Sequence, residues 1–410
     1  MKKAILALLL GLAMAGGANA ATCTIDQVPG ATLLLPYFEV DIANPAGVDT
    51  LFTVNNASAT AVLAHVIVWS DMSQEALDFN IYLTGYDMQT VSMGLIIRDG
   101  ILPVTATAGQ DPDDEISPQG LLSYDDDYDS CDGYFPYDEP ALDPDFLAHL
   151  QSFLTGGPSS IYDGRCGGWD YGDGIARGYV TLDTVDSCTL LRPCDAGWLD
   201  VVSYQNVLWG NWYMVEGDQN FAQGDAMVAL EAFNPQSTAA PNPFVNGTFW
   251  GRCSITGVYG DWREPLPSIF ASVYYDNAAF TGGTDLLVWR DSKVGSTDGF
   301  DCDDGPSWYP LEQNAVFVFD EQENPEEGGC TISPCPEEDI YFPIEAQRVP
   351  VSAFGATPES GWTLMDLNIA GEYHQAWVVS VFKAEGRYSA GIAAAQPVPS
   401  CQPIFNTRSN

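Results

Sequence analysis

Ala61-Val62-Leu63-Ala64-His65-Val66-Ile67-Val68-Trp69-Ser70 is the stretch whose reading decides the fold class. It is β-branched and aromatic, and a polar Ser70-Asp71 pair closes it, which reads as a strand. Alternation puts Leu63, His65, Ile67 and Trp69 on one face and Val62, Ala64, Val66 and Val68 on the other. Both faces are apolar, so the strand is expected at the centre of a covered sheet. Segments 50–56 (TLFTVNN) and 76–83 (ALDFNIYL) flank it and read the same way.

The pattern continues along the chain. Strands are expected at 176–185, 201–216, 226–233, 248–256, 268–275, 285–291, 315–320, 361–369, 375–383 and 387–394. Ala384-Glu385-Gly386 separates the last two and reads as a hairpin turn. No segment sustains a 3.6-residue apolar stripe; 145–154 (DFLAHLQSFL) is the best helix candidate, and it is short. The expected fold is therefore all-β, an immunoglobulin-like β-sandwich built as two modules or one large double sheet. Val66-Ile67-Val68-Trp69-Ser70-Asp71 and Leu286-Leu287-Val288-Trp289-Arg290-Asp291 form a faint repeat, read as internal duplication or as chance likeness between two buried strands that end in a polar turn.

Charge narrows the function classes. Against 56 Asp and Glu stand 14 Lys and Arg, a net charge of −42, yet hydrophobic residues make up 46%. That is a folded core rather than a disordered acidic tail. Charged residues total only 17%, below the roughly 25% of average domains. Bases are what is missing: lysine occurs only at Lys2, Lys3, Lys293 and Lys383. Such a chain repels a phosphate backbone and an anionic lipid surface, so nucleic-acid and membrane-surface partners are not expected. Two stretches, 111–145 and 298–339, contain 26 of the acids and no base, and read as surface insertions.

Residues 1–20 (MKKAILALLLGLAMAGGANA) have two lysines, a short apolar run and a closing Ala-Asn-Ala, the pattern of a cleaved secretory leader. Export to the periplasm or the exterior is the expectation, and no later run has membrane-spanning length. The organisation expected is a leader 1–20, a β module 21–110, an acidic stapled insertion 111–175, a second module 176–401 with its own insertion at 298–339, and a tail 402–410. Ten cysteines in an exported chain, without a CxxC and with only three scattered histidines, point to disulfides rather than zinc. Cys188–Cys194 and Cys330–Cys335 would close short Pro-containing loops, and Cys131–Cys166 would staple the first insertion. Cys253–Cys302 and Cys23–Cys401 follow by elimination.

Asp261-Trp262-Arg263-Glu264-Pro265-Leu266-Pro267, the later Gly282–Asp291 run, and Gln375-Ala376-Trp377-Val378 resemble uncharacterised exported bacterial β-sandwich proteins. The likeness extends over most of the chain after the leader. It carries no activity with it.

The residues bear on four chemistries. Calcium takes six to eight oxygens, and Asp125, Asp127, Asp129 and Asp132 crowd one loop as candidate ligands; Asp301, Asp303 and Asp304 crowd another. Neither loop has EF-hand spacing, and a solvated acidic face is the plainer alternative. A glycan hydrolase needs a carboxyl pair, for which Glu231, Asp261, Glu264 and Asp291 are candidates, though Arg252, Arg263 and Arg290 could pair with them instead. Trp209, Trp212 and Tyr213, and Phe249 with Trp250, could stack on sugar rings or lie in the core. No GxSxG, HExxH, P-loop or dinucleotide fingerprint is present. His65 reads as a hydrogen-bonded core residue. The expected role is non-enzymatic, structural or binding, with a glycan or another exterior protein as partner; the alternative is an exported carboxylate-dependent hydrolase.

Overall fold

A computed structural model of the chain describes residues 28–103, 105, 141–193, 195–232, 266–292, 299–325, 340–355, 359–368, 374–384 and 388–393. Over these residues the chain is all-β, with several antiparallel sheets and only short helices.

The first half supplies two sheets. One has five strands in the order β11 (Val228–Leu230), β1 (Thr32–Asp41), β8 (Ile175–Val185), β3 (Val62–Ser70) and β4 (Glu75–Leu83). The other orders β10 (Phe221–Ala226), β9 (Leu208–Glu216), β2 (Val48–Asn56) and β5 (Met88–Ser92). Strand β2 alternates buried and half-buried residues until its buried end, so Val48, Thr50, Phe52 and Val54 form its inner face. Strand β3 is buried along its whole length, as its two apolar faces require. β1 lies against β2 and β9, and the two sheets close on each other face to face.

The second half repeats the layering. A three-stranded sheet orders β12 (Ile269–Tyr275), β16 (Ser360–Asp366) and β14 (Ala315–Asp320). A four-stranded sheet orders β15 (Ala346–Pro350), β13 (Thr284–Arg290), β17 (Ala376–Ala384) and β18 (Tyr388–Ala393). β17 and β18 pair across the expected hairpin, from Ala384 opposite Tyr388 to Val379 opposite Ala393. The arrangement fits a β-sandwich.

Hydrogen bonding crosses the expected boundary between modules. β8 and β9 lie beyond residue 110 in sequence yet pair with β1, β3 and β2. β14, inside the acidic stretch 298–339, is a sheet strand paired along its length with β16. One contiguous apolar core runs through both halves, including Leu33, Phe52, Trp69, Tyr179, Trp289 and Val378. Trp69 stacks on Tyr179 at 6.2 Å, and Tyr179 meets Trp289 edge-on at 5.9 Å, so one aromatic ladder joins the two repeated strands.

Strand β1 is buried despite Pro36, which ordinarily argues against a central strand. The register with β8 shifts between Leu35 and Phe38, so the proline occupies a bulge where no ladder donor is needed. Opposite the bulge, a side chain at Gly178 would come within 1.9 Å of the Trp69 carbonyl oxygen, so only glycine lets β8 pass between its neighbours.

Two helices matter for the site. α1 (Met93–Ile97) starts on Ser92, whose hydroxyl accepts from the Leu95 N–H. α2 (Pro144–Leu154) falls where a helix was expected; Asp143 caps it, Pro144 opens it, and His149, Leu150, Phe153 and Leu154 are buried. The remaining two-stranded ribbon pairs β6 (Pro158–Ser159) with β7 (Arg165–Cys166). No helix among the described residues is long and apolar enough to cross a membrane.

Candidate functional site

Among the described residues, several of the scarce bases are half-buried against acids, and Arg290 is fully buried. Glu39 of β1 is buried between two guanidiniums, Arg177 of β8 at 3.5 Å and Arg348 of β15 at 3.0 Å. Arg348 continues to Asp285 at 2.6 Å, Lys383 meets the same carboxylate at 2.8 Å, and Arg177 ends the chain on Asp173 at 2.7 Å. Six charges alternate in sign from one half of the molecule to the other. A buried carboxylate persists only when paired and hydrogen-bonded in this way, and Tyr37 donates to Glu39 as well at 2.9 Å. Arg290 is used differently. It is fully buried, and its guanidinium donates to the carbonyls of Phe342, Glu312 and Leu367. Burial pushes it down to about 10, against the pull of nearby Glu345. It is a clasp for main-chain carbonyls rather than the carboxylate partner expected from the sequence.

The expected site residues scatter. The calcium candidates Asp125, Asp127, Asp129 and Asp132 lie outside the described residues, as do Asp261, Glu264, Arg252, Arg263, Phe249 and Trp250. Asp291 is buried at the end of β13 beside His374, whose ring Nδ1 lies 2.6 Å from the Asp291 carbonyl oxygen. Glu231 is half-buried, and burial raises its pKa. Trp212 is fully buried, leaving Tyr213 as the exposed aromatic of that cluster, because neighbouring strand residues take opposite faces. His65 is a core residue as expected, with Nδ1 3.2 Å from Asn80 Oδ1; burial pushes it down to about 4. Among the described residues no group of three or more His, Cys, Asp or Glu could hold a metal. Asp301, Asp303 and Asp304 splay around a turn in which Asp301 accepts from the Asp303 N–H.

The disulfides need correction. Cys166 bonds to Cys302, which replaces both the expected Cys131–Cys166 pairing and the expected Cys253–Cys302 pairing. Reciprocal main-chain hydrogen bonds between Cys166 and Phe300, each 3.0 Å, bring those two loops together. Cys188 is disulfide-bonded; its expected partner Cys194, and the pair Cys330–Cys335, lie outside the described residues.

That bridge borders the site that best suits a ligand. On one side runs Gly167-Gly168-Trp169-Asp170. Ser70 donates to the Gly167 carbonyl at 2.5 Å, and the Trp169 N–H donates to Asp71 at 3.0 Å. Gly156, with φ +83°, passes so close that a side chain there would lie 2.3 Å from the Asp170 nitrogen. On the other side the loop carrying Phe300, Asp303, Asp304 and Tyr309 is tied by the disulfide and by the Gly299 N–H donating to Gln74 at 3.1 Å. Between them lies a cavity of about 280 Å³. Met72 and Phe300 belong to a small apolar cluster under it. Trp169 and Tyr309 wall it, ring centroids 5.3 Å apart and planes at 31°. Asp170, Asp303 and Asp304 add carboxylates, and no Lys, Arg or His of the described residues lines it.

Beneath the Trp169 wall, burial pushes Asp71 up to about 8, against the Trp169 N–H that favours its anion. Its Oδ2 has no hydrogen-bond partner among the described residues. Asp71 is therefore mostly a neutral acid at neutral pH. Neither Trp169 nor Tyr309 was singled out from the sequence. The available signals were Gly167-Gly168 immediately before a tryptophan and the Asp301-Cys302-Asp303-Asp304-Gly305 loop.

No protein-family model, no curated protein and no solved structure matches this chain.

Proposed function

We propose that this chain is an exported, non-enzymatic binding protein, a disulfide-stabilised sandwich of immunoglobulin-like character that presents a rigid cleft to a ligand in the periplasm or at the cell exterior. The observation behind this reading is the Trp169–Tyr309 wall pair. Trp198, Trp212 and Trp289 are fully buried in the core, whereas Trp169 is 40% exposed and lines a cavity. Concave apolar sites with a few fixed polar groups are how proteins hold small ligands. Two glycines, a disulfide and main-chain hydrogen bonds hold the walls in place, so little entropy is lost on binding. The Cys166–Cys302 bridge also suits an oxidising compartment.

A glycan hydrolase is the second reading, because Asp170, Asp303 and Asp304 line the same cleft as a tryptophan. The test is a fluorescence titration with small neutral oligosaccharides, amino acids and alkylammonium salts, on the wild type and Trp169→Ala, with product analysis of the sugars. The expected result is saturable binding of at least one probe that Trp169→Ala weakens about tenfold, with no bond cleaved. Binding indifferent to Trp169→Ala, or no binding, overturns the reading. New reducing ends that disappear in Asp303→Asn would move it to the hydrolase.

Calcium stabilisation through Asp125, Asp127, Asp129 and Asp132 belongs to the same reading. It predicts a larger rise in Tm in 5 mM calcium than in 5 mM magnesium, lost in Asp127→Asn with Asp129→Asn; the concentrations, about tenfold above a weak extracellular constant, are chosen for near-saturation. Equal rises for the two ions would leave those acids as surface charge.

A further inference from the structure

We infer that the group taken up in the cavity lined by the packed Trp169–Tyr309 pair is an organic ammonium cation; this rests on the cleft being a binding site. The lining decides the charge class. Its charged side chains are three carboxylates, Asp170, Asp303 and Asp304, with no base among the described residues to balance them. An anion is repelled from such a site. A neutral ligand leaves the mutual repulsion of the three carboxylates unrelieved, whereas a cation relieves it. A cation needs acceptors and negative surface alone.

The walls supply the rest. Aromatic ring faces are negative, tryptophan most effectively so, and a cation within about 6 Å of the ring centre is attracted. The chain already makes this contact two residues away, where the Arg177 guanidinium lies 4.3 Å above the centre of the Tyr171 ring. An apolar floor of Met72 and Phe300 favours a weakly hydrated alkylammonium over a bare metal ion, which demands oxygen ligands on all sides. About 280 Å³ lies at the small end for ligand sites, enough for an ammonium head with a short stem. The net charge of −42 concentrates cations around the molecule and speeds their arrival.

The experiment compares choline with 3,3-dimethyl-1-butanol, its uncharged equivalent of the same shape, by calorimetry at fixed ionic strength on the full disulfide-bonded protein. Choline should bind, and the neutral alcohol at least about tenfold more weakly. Trp169→Ala should weaken choline by at least about tenfold, Trp169→Phe by a few-fold only, and Asp303→Asn with Asp304→Asn by several-fold. Circular dichroism and Tm confirm that each variant folds, which the half-exposed position of Trp169 favours. Equal affinity for choline and the alcohol, undetectable choline binding, or choline binding unaffected by Trp169→Ala overturns the inference. If an oligosaccharide still binds in a Trp169-dependent way, the cleft remains a binding site and only the ammonium assignment falls. If no probe depends on Trp169, both fall.

Discussion

Val66–Asp71 and Leu286–Asp291 share a pattern, and the structure gives them the same situation with one different solution. Each ends a central strand flanked on both sides by antiparallel partners, β3 between β4 and β8, β13 between β15 and β17. Each ends in a buried tryptophan followed, two residues later, by a buried aspartate. The residue between differs. Ser70 reaches one nearby carbonyl, that of Gly167, with a short hydroxyl. Arg290 reaches three carbonyls, those of Glu312, Phe342 and Leu367, which come from three separate segments. Where segments crowd against the strand end, a small donor is enough. Where they stand off, only a long, planar, multidentate donor satisfies them. The repeated strand end therefore meets one physical demand, capping buried carbonyls, by reach chosen to suit the gap.

The largest expected effect comes from cutting the covalent tie between the halves. Cys166 and Cys302 are 136 residues apart, so replacing both by serine should lower stability by about 5 kcal/mol, read by urea denaturation. A loss under about 1 kcal/mol would mean that the shared core alone holds the two regions.

Next is the clasp. Arg290→Met strands two buried carbonyls and one part-buried carbonyl and should cost about 4 kcal/mol, whereas Ser70→Ala should cost only about 1 kcal/mol. Equal losses in paired denaturation curves would break the comparison drawn above.

Acid–base behaviour ranks third. Burial pushes Asp71 and Asp78 up to about 8, with Glu75 adding to the effect at Asp78, while burial pushes His65 and His149 down to about 4. A carboxyl raised in the fold keeps its proton when the unfolded chain has lost it. Its stabilisation is full below about pH 4 and disappears as pH rises through about 8. A histidine lowered in the fold runs the other way: its contribution is full above about pH 6.5 and is lost as pH falls towards about 4. The two pairs oppose each other between about pH 4 and 6.5; above that only the carboxyls act. Stability should fall by about 3 kcal/mol from pH 6.5 to 8, and Asp78→Asn should remove about half of that fall. A profile flat to pH 8 in denaturation series would show both carboxyls ionised in the fold.

Strand β3 was legible from its own residues because a strand apolar on both faces has only one kind of place to go. β13 and the β17–β18 hairpin were legible for the same local reasons, alternation and a turn signal. α2 falls at the best helix candidate, 145–154, although no segment sustains a full 3.6-residue apolar stripe. β1 was not read, because Pro36 is a local argument against a strand and the bulge that accommodates it is made by β8, far along the chain. β5 and β10 also escaped, since short half-exposed segments have little periodicity of their own, and β15 did because five residues are too few to show a period.

By itself, the sequence determined the fold class, the separation of apolar strands from acidic stretches, and the shortage of bases. These follow from local periodicity and composition, which need no partner. Only the tertiary structure decided that Cys166 meets Cys302, that Arg290 clasps carbonyls, and that Trp169 faces Tyr309 over three carboxylates. Each joins residues far apart along the chain. Their meeting depends on how two layered halves dock, and neighbouring residues carry no record of that.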